Sequence, residues 1–522
     1  MLVNKNILPL FFTAVLMQGC TKLEEPFRGD LTENQVGADS ANSASLLAGE
    51  YNSLVWPFTG YIEIYPLQEL STHEGIALTR GQDWDDNGKW RVSHQHKWDA
   101  NSQTITTGFN TLNGISFAAT DLLRYNPKKQ EQAEARFIRA WVMYLLLDLF
   151  DQVPYRDPGE SLNSAARVRK GKEALDYIIS EIYAVESDLQ DGPKFRANKY
   201  AAMVLLMKCY LNKMVYLNRV NPISDKADMD KVISLADTII SSNRFSFAEN
   251  YYDNFAPDNE TKGSENIFTL FNDGFSTPNN AISFAWAIFL HYSQSPQGAF
   301  NGWATLSDFY EKFEATDKRR GDVYAPPGSP PNPSDQINVG FLIGQQFDYF
   351  TGEPLKDRSN LPLVFTREVK NIALGPSAEV TGIRPIKYFP DWNSYWGGHN
   401  DFVFFRLADV LLMKAEAIVR KGTGTAAGAY GSTATEIVNF IRTHPTRGAS
   451  KLSTPVTLDI LLDERGREMW WEGWRRPDLI RFGKFLHPFQ EKDYESDPKY
   501  LLYPIPAEQL AVNPNLVQNP RY

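Results

Sequence analysis

The chain has 522 residues, enough to bury a large core in one large domain or two. Its formal net charge is -10 at pH 7 and no basic cluster stands out, which argues against nucleic acid or a polyanion as its main partner. Aromatic residues make up 13% of the chain, with 12 Trp and 24 Tyr, so some of them can serve a ligand as well as the core.

Taken from the N-terminus, Lys5 gives a small positive region and Ile7 to Met17 is apolar. That run is shorter than the about 20 residues needed to cross a bilayer. Residues 1–19 therefore read as a secretory leader. Leu16-Met17-Gln18-Gly19-Cys20 resembles a bacterial lipobox, with Met17 and Gln18 standing where Leu and a small residue are usual. The resemblance implies that Cys20 becomes the first mature residue and carries lipid such as palmitate. An ordinary cleaved leader with an incidental cysteine is the other reading. The remaining cysteine, Cys209, lies in a helical apolar stretch and reads as core packing; a disulfide to Cys20 would leave the lipobox without purpose. Thr21-Lys22-Leu23-Glu24-Glu25-Pro26 resembles the acidic surface-export signal of some Bacteroidetes lipoproteins, with a plain polar tether as the alternative. No later segment approaches a membrane span, so a lipid on Cys20 is the expected anchor.

Helical periodicity dominates outside the middle of the chain. Phe137, Ala140, Trp141 and Tyr144 share one face of a helix predicted over Gln132 to Phe150. Ala202, Leu205, Leu206 and Cys209 do so over Lys199 to Leu217, and Ala408, Leu411, Leu412 and Ala415 over Phe402 to Arg420. The segment Ala202 to Lys208 recurs at Ala408 to Lys414 with a single difference. Small residues on helix faces and an internal echo suggest tetratricopeptide-like helix pairs, although two amphipathic helices can also match by chance. From about Phe245 to Asn400 the chain is rich in Gly, Pro, Asn and aromatics, with Pro326-Pro327-Gly328-Ser329-Pro330-Pro331 at its centre. This reads as an irregular insert on a helical platform, where binding residues usually sit.

The C-terminal part holds a charged segment from Glu464 to Gly483. Its Glu464, Arg465, Glu468, Glu472, Arg475 and Arg476 are spaced three and four apart, so opposite charges can pair along a helix. Glu468 and Glu472 do not read as an acid/base pair, because the surrounding arginines would hold both ionised. The segment resembles the signature of the SusD/RagB family at every specified position, Glu-Arg-x-x-Glu-x-x-x-Glu-Gly-x-Arg-x-x-Asp-Leu-x-Arg-x-Gly. The terminus from Tyr503-Pro504-Ile505-Pro506 to Pro520-Arg521-Tyr522 and the stretch from Ala135 to Tyr155 resemble the same family.

The resemblance implies a mainly α fold, a tetratricopeptide-like scaffold with a large loop-rich insert. Residues 20–522 then form one domain: 20–244 helical, 245–400 the insert, 401–522 helical with the signature. It also implies a surface lipoprotein of the outer membrane, facing the exterior, that captures oligosaccharide or polysaccharide for a SusC-like TonB-dependent transporter. No cofactor and no catalytic apparatus are implied. Capture of peptides in the manner of RagB is the alternative. A glycoside hydrolase is the third class, but it needs two carboxylates facing each other across a cleft, which adjacent acids on one turn do not supply.

Sugar rings present C–H faces that flat indoles cover, while polar groups at the rim take the hydroxyls. Arg80-Gly81-Gln82-Asp83-Trp84-Asp85-Asp86-Asn87-Gly88-Lys89-Trp90 combines both chemistries. The candidate carbohydrate-binding residues are therefore Trp84, Arg80, Asp83, Asp85 and Asn87 from this loop, with Trp286, Trp303, Trp392 and Trp396 from the insert. Each Trp has a core role as its alternative. Asp83-x-Asp85-x-Asn87-Gly88 also opens like a calcium loop, but its twelfth position is His94 and not the required Glu. His94 and His96 would lie on one side of a strand, with no third zinc ligand at useful spacing.

Overall fold

The computed structural model describes residues 40–274, 282–375, 377–423 and 428–522. The leader, Cys20 and the segment Thr21 to Pro26 lie outside the described residues. The longer helices, in chain order, are α1 (Ser40–Ser53), α2 (Gln103–Leu122), α3 (Lys129–Phe150), α4 (Gly171–Val185), α5 (Lys199–Leu217), α6 (Lys226–Ser241), α7 (Leu407–Lys421), α8 (Ala434–Thr443), α9 (Leu458–Met469) and α10 (Arg475–Arg481). From α2 to α6 each helix packs on the next, which is the helix-pair arrangement that the periodicity predicts. Then α6 packs on α7, although the insert separates them in sequence, and α7 packs on α8 and α9.

Local chemistry sets these boundaries. The Asn198 side chain accepts from the backbone N–H groups of Tyr200 and Ala201 and starts α5. Thr433 and Glu436 form a capping box on α8, and Gly422, at φ 80°, ends α7 in the left-handed region. Ala202, Leu205, Leu206 and Cys209 of α5 are all buried, as their spacing predicts, and burial pushes the Cys209 thiol up.

One helix boundary differs from the sequence expectation. Phe402–Arg406 is not helix but a strand, antiparallel to Asn266–Leu270 and buried on both faces. Phe402-Val403-Phe404-Phe405 is an aromatic and β-branched run that packs better on a pleated surface than on a helix, so α7 begins only at Leu407. This strand pair draws the two ends of the insert together. Between them the described chain consists of short strands and single helical turns; many of its buried side chains join the same core as the helices, while Ala304, Leu306 and Val369 form a smaller cluster with Ile76 and Leu78.

The signature segment is buried, and its charges pair mostly between elements. Within α9 only Glu464 and Arg467 pair along the helix, at 2.7 Å. Glu464 also takes Arg319 at 2.7 Å and Arg442 at 2.8 Å. Glu468 takes Arg319 at 2.9 Å, Arg406 at 2.6 Å and Arg447 at 2.6 Å. Glu472 follows the end of α9 and takes Lys387 at 2.5 Å and Arg406 at 2.8 Å. The spacing of three and four thus aims the carboxylates at arginines and a lysine of the insert and the C-terminal part. Burial alone would raise the Glu468 carboxyl, but Arg447, Arg406 and Arg319 outweigh it and hold it well below the usual range.

Candidate functional site

The segment Thr79 to His94 is built from a short strand, two turns and a single-turn helix, Lys89–His94. Strand Gly75–Ala77 pairs antiparallel with Trp303–Thr305, and Thr79–Arg80 pairs parallel with Ile372–Ala373. Both partners belong to the insert, so the N-terminal loop and the insert are fixed against each other by backbone hydrogen bonds. Arg80 adds a clamp: its guanidinium donates to the carbonyls of Gly302 at 3.3 Å, Ala378 at 2.9 Å and Thr381 at 3.1 Å.

At this junction half-buried aromatic rings form a continuous chain of contacts. Trp56 meets Phe284 at 5.4 Å between ring centroids, Phe284 meets Tyr61 at 5.1 Å, and Tyr61 meets Trp84 at 6.1 Å. On the other side Phe284 stacks on Phe300 at 5.8 Å, and Phe300 meets Trp396 at 5.7 Å. Each of these six rings is intermediate between buried and exposed. Trp84 has a φ of 61°, a costly conformation for a bulky residue. It is held there by its indole N–H, which donates to Phe300 O at 2.9 Å, and by its ring, which lies directly over Gly302. A Cβ on Gly302 would come within 2.4 Å of Trp84 Cζ2, so only glycine admits the indole. The Trp396 indole donates to Gln297 O at 3.1 Å.

The structure sorts the predicted residues into ring surface, support and frame. Trp84 and Trp396 belong to the surface. Trp286 and Trp303 do not: both are 0% exposed and offer no face to a ligand. Trp303 packs between Trp90 at 6.0 Å and Trp471 at 6.0 Å, and Trp90 in turn meets Trp84 at 5.9 Å. Trp303 is thus the second ring beneath Trp84. Trp286 meets Tyr395 at 6.0 Å, and Tyr395 meets Trp396 at 5.1 Å. Trp392 is buried among Tyr349, Phe350 and Tyr395. These indoles were drawn inward because their strand and turn positions face the core. Trp56, Tyr61, Phe284 and Phe300 were not anticipated. No motif marks them, and they meet only because the strand pairings bring residues near 60, 84, 284, 300 and 396 to one place.

Beside Trp84 lies a polar recess of about 320 Å³, lined by Arg80, Asp83, Arg358, Ser359 and Glu379 among others. Asp83 accepts from the Tyr292 hydroxyl at 2.8 Å and pairs with Arg358 at 3.2 Å. Arg358 also bonds Glu379 and stacks over the Tyr292 ring at 4.2 Å. Glu379 pairs with His291 at 3.1 Å. Burial lowers the His291 imidazole to about 4, against the opposing pull of Glu379, so it is neutral at pH 7.

The acids of the loop diverge. Asp83 turns to Tyr292 and Arg358, Asp85 to Arg91 at 2.6 Å, and Asp86 to the Trp90 indole at 2.6 Å. Asn87 is exposed at φ 54°. Among the described residues no group of three His, Cys, Asp or Glu is placed to hold a metal ion. His94 and His96 are not on a strand. His94 ends the Lys89–His94 helix and faces Gln490 O at 3.1 Å, whereas His96 faces Ser496 Oγ at 2.8 Å and Ser71 O at 2.7 Å.

A mainly helical scaffold of helix pairs with inserts is the fold of the SusD superfamily. The SusD family profile matches residues 235–522, and the chain belongs to that family. The starch-binding protein SusD of Bacteroides thetaiotaomicron is 28% identical over 442 residues, 75% of this chain and 73% of that protein. Among solved structures, a SusD superfamily protein from Parabacteroides distasonis has a TM-score of 0.70 at 19% identity, covering 93% of this chain and 100% of that chain. Surface glycan-binding protein A from Bacteroides uniformis has a TM-score of 0.67 at 19% identity, covering 92% of this chain and 99% of that chain. These structural likenesses speak for the fold. Among the described residues no helix is long and apolar enough to cross a membrane.

Proposed function

We propose that this chain binds oligosaccharide or polysaccharide at the cell surface and passes it to a SusC-like TonB-dependent transporter, with no catalysis of its own. In this reading a lipid on Cys20 anchors it to the outer membrane, facing the exterior, and residues 20–522 act as one unit.

The observation that carries the reading is the run of six linked, half-buried rings from Trp56 to Trp396 with a polar recess at its edge. Rings fixed by indole hydrogen bonds and by a glycine beneath Trp84 lose little freedom when a sugar stacks on them. Polar groups next to an apolar shelf are the chemistry of sugar capture. The name of the starch-binding relative and that of the surface glycan-binding structure point the same way. Binding without hydrolysis agrees with the state of the carboxylates: those of the signature are enclosed by cations, and Asp83 and Glu379 share one arginine.

The test is affinity electrophoresis of the chain from residue 21 onward against a panel of polysaccharides, with Trp84→Ala and Trp396→Ala alongside. Retardation by at least one polysaccharide is expected, lost in both variants while their melting curves stay close to wild type. Absence of retardation by every polysaccharide would overturn the reading and leave peptide capture in first place. Release of reducing sugar during the run would overturn the non-enzymatic part.

A further inference from the structure

We propose that the recess beside Trp84 takes an oxyanion carried by the bound sugar, a carboxylate or a sulfate ester on an otherwise neutral glycan. The inference rests on the glycan-binding reading of the ring surface and names the substrate class of that site.

The charges around the recess do not balance. Two guanidiniums, Arg80 and Arg358, line the recess with two carboxylates, Asp83 and Glu379, and a third, Arg384, lies behind it on the Thr381 and Glu379 carbonyls. Arg358 uses both carboxylates: its Nε bonds Glu379 and its Nη2 reaches Asp83 at 3.2 Å. The two deeper arginines have only neutral acceptors. Arg80 donates to three carbonyls, and its Nη2 has no hydrogen-bond partner among the described residues. Arg384 donates to the carbonyls of Thr381 at 2.7 Å, Gly382 at 2.7 Å and Glu379 at 3.1 Å, and to Asn301 Oδ1 at 2.8 Å. Both are buried, at 3% and 0% exposure.

Asp83 and Glu379 act on Arg80 without bonding it, and a buried cation with no bonded counter-ion carries a cost that falls when an anion comes near. The groups at the mouth of the recess fit such an anion. Arg358 is 55% exposed at its side chain, and its Nη1 has no partner among the described residues. Ser359 and Gln82 stand beside it with neutral donors. Asp83 of the recess precedes Trp84, so the recess adjoins the Trp84 end of the ring chain, and the proposed oxyanion is carried by a sugar bound there or by its substituent.

The net charge of the chain does not oppose this. A field from distant carboxylates is screened beyond about 8 Å at physiological salt, whereas the recess acts at contact. The same argument sets a limit: a polymer charged at every sugar would meet the acidic remainder of the surface, so sparse anionic substituents on a neutral backbone suit the site.

The experiment is isothermal titration of the chain from residue 21 onward with matched pairs of oligosaccharides. One pair is a glucuronic-acid-substituted xylan fragment and its carboxyl-reduced product. The other is a sparsely sulfated galactan fragment and its desulfated product. At least one anionic member is expected to bind about tenfold tighter than its neutral counterpart, a difference that shrinks in 1 M salt. Arg358→Gln is expected to erase that difference. Asp83→Asn, which removes a competing carboxylate, is expected to widen it severalfold, an effect that loss of structure would not produce. Trp84→Ala is expected to weaken both members. Which pair shows the difference tells carboxylate from sulfate. Equal binding within both pairs, with Trp84→Ala still weakening it, would overturn the oxyanion site and keep the ring surface. Binding of neither pair overturns the oxyanion proposal, and a negative polysaccharide panel would overturn the glycan reading with it.

Discussion

Lys208 Nζ lies 2.6 Å from Asp409 Oδ2, a fully buried ion pair that joins α5 to α7. These two residues come from the repeated segment, and Asp409 stands at its single point of difference, opposite Met203. The counterpart of Lys208, Lys414, reaches Asp237 of α6 at 2.6 Å. Asp409 also pairs with Arg465 of α9 at 3.0 Å. Burial would raise the Asp409 carboxyl, but Lys208 and Arg465 outweigh it and hold it far below its ordinary value. One change from an apolar to an acidic residue thus turns a repeated packing face into a lock between distant parts of the chain.

Removing Lys208 leaves the buried Asp409 with Arg465 alone, at a cost below the about 3–5 kcal/mol of a buried charge left with no partner. Lys208→Met is expected to lower the melting temperature by several degrees. Adding Asp409→Met, which makes the two segments identical over the first six positions, is expected to recover much of the loss. A double variant no more stable than Lys208→Met would show that the pair contributes through something other than charge balance. Thermal unfolding followed by circular dichroism decides.

The arginine-bound carboxylates set the acid limit. Glu464 and Glu416 are each held at about 2: burial pushes them up, and Arg319 and Arg481 respectively lead the cations that pull them down. A carboxyl whose folded value is depressed stabilises the fold above its unfolded value of about 4.3, and that contribution is lost as pH falls toward 2. Urea unfolding at pH 5, 4 and 3 is expected to show midpoints that fall step by step. An unchanged midpoint down to pH 3 would contradict the charge network as drawn.

Two other carboxyls act with the opposite sign. Burial raises Glu74 to about 8, against Arg475 and the Trp471 N–H, and raises Glu69 well above its usual range, with Glu74 adding to the effect. A group whose folded value is raised stabilises the fold below its unfolded value and loses that contribution as pH rises through the folded one. These two carboxyls therefore lower stability between about pH 4.5 and 8, while His291, lowered to about 4, acts the other way up to about pH 6.5. Glu74→Gln keeps an oxygen acceptor for the Trp471 N–H and removes the proton loss. It is expected to match wild type near pH 5 and to exceed it at pH 8 by about 1–3 kcal/mol. Equal slopes in the two proteins would place the ionisation elsewhere.

Surface and supporting indoles are separable by measurement. Trp303→Ala and Trp286→Ala are expected to cost about 3–5 kcal/mol of stability, as for large aromatic residues lost from a core. Trp84→Ala is expected to cost less stability than either buried indole, since Trp84 is only half-buried, and to weaken glycan binding about tenfold. Gly302→Ala is expected to mimic the binding loss by pushing the indole off its seat. If Gly302→Ala binds like wild type, Trp84 does not need this position to hold sugar.

The helical scaffold was legible because amphipathic periodicity over α3, α5 and α7 reports directly which face is buried. The boundary at Phe402 was missed because a short apolar run looks the same as strand or helix until its partner, Asn266–Leu270, is known. The signature charges were legible as a network, but their arginine partners at 319, 406 and 447 come from remote sequence. The ring surface was half legible. Trp84 stood out by the polar residues around it, whereas Trp286 and Trp303 looked the same in sequence and differ only in which way their backbone turns. Tyr61, Phe284 and Phe300 carry no local signal at all.

The close packing of α6 against α7 has a consequence for how such a chain can change over time. Loop closure across that seam rises only logarithmically with the length of what lies between, so an insertion or deletion there costs a fraction of a kcal/mol. The helices on either side hold one another through contacts that do not depend on the intervening residues, among them the pair between Lys414 and Asp237. Variation can therefore accumulate in the excursion wherever it does not supply the stack, as Arg319 and Lys387 do, while the helices on either side are inherited unaltered.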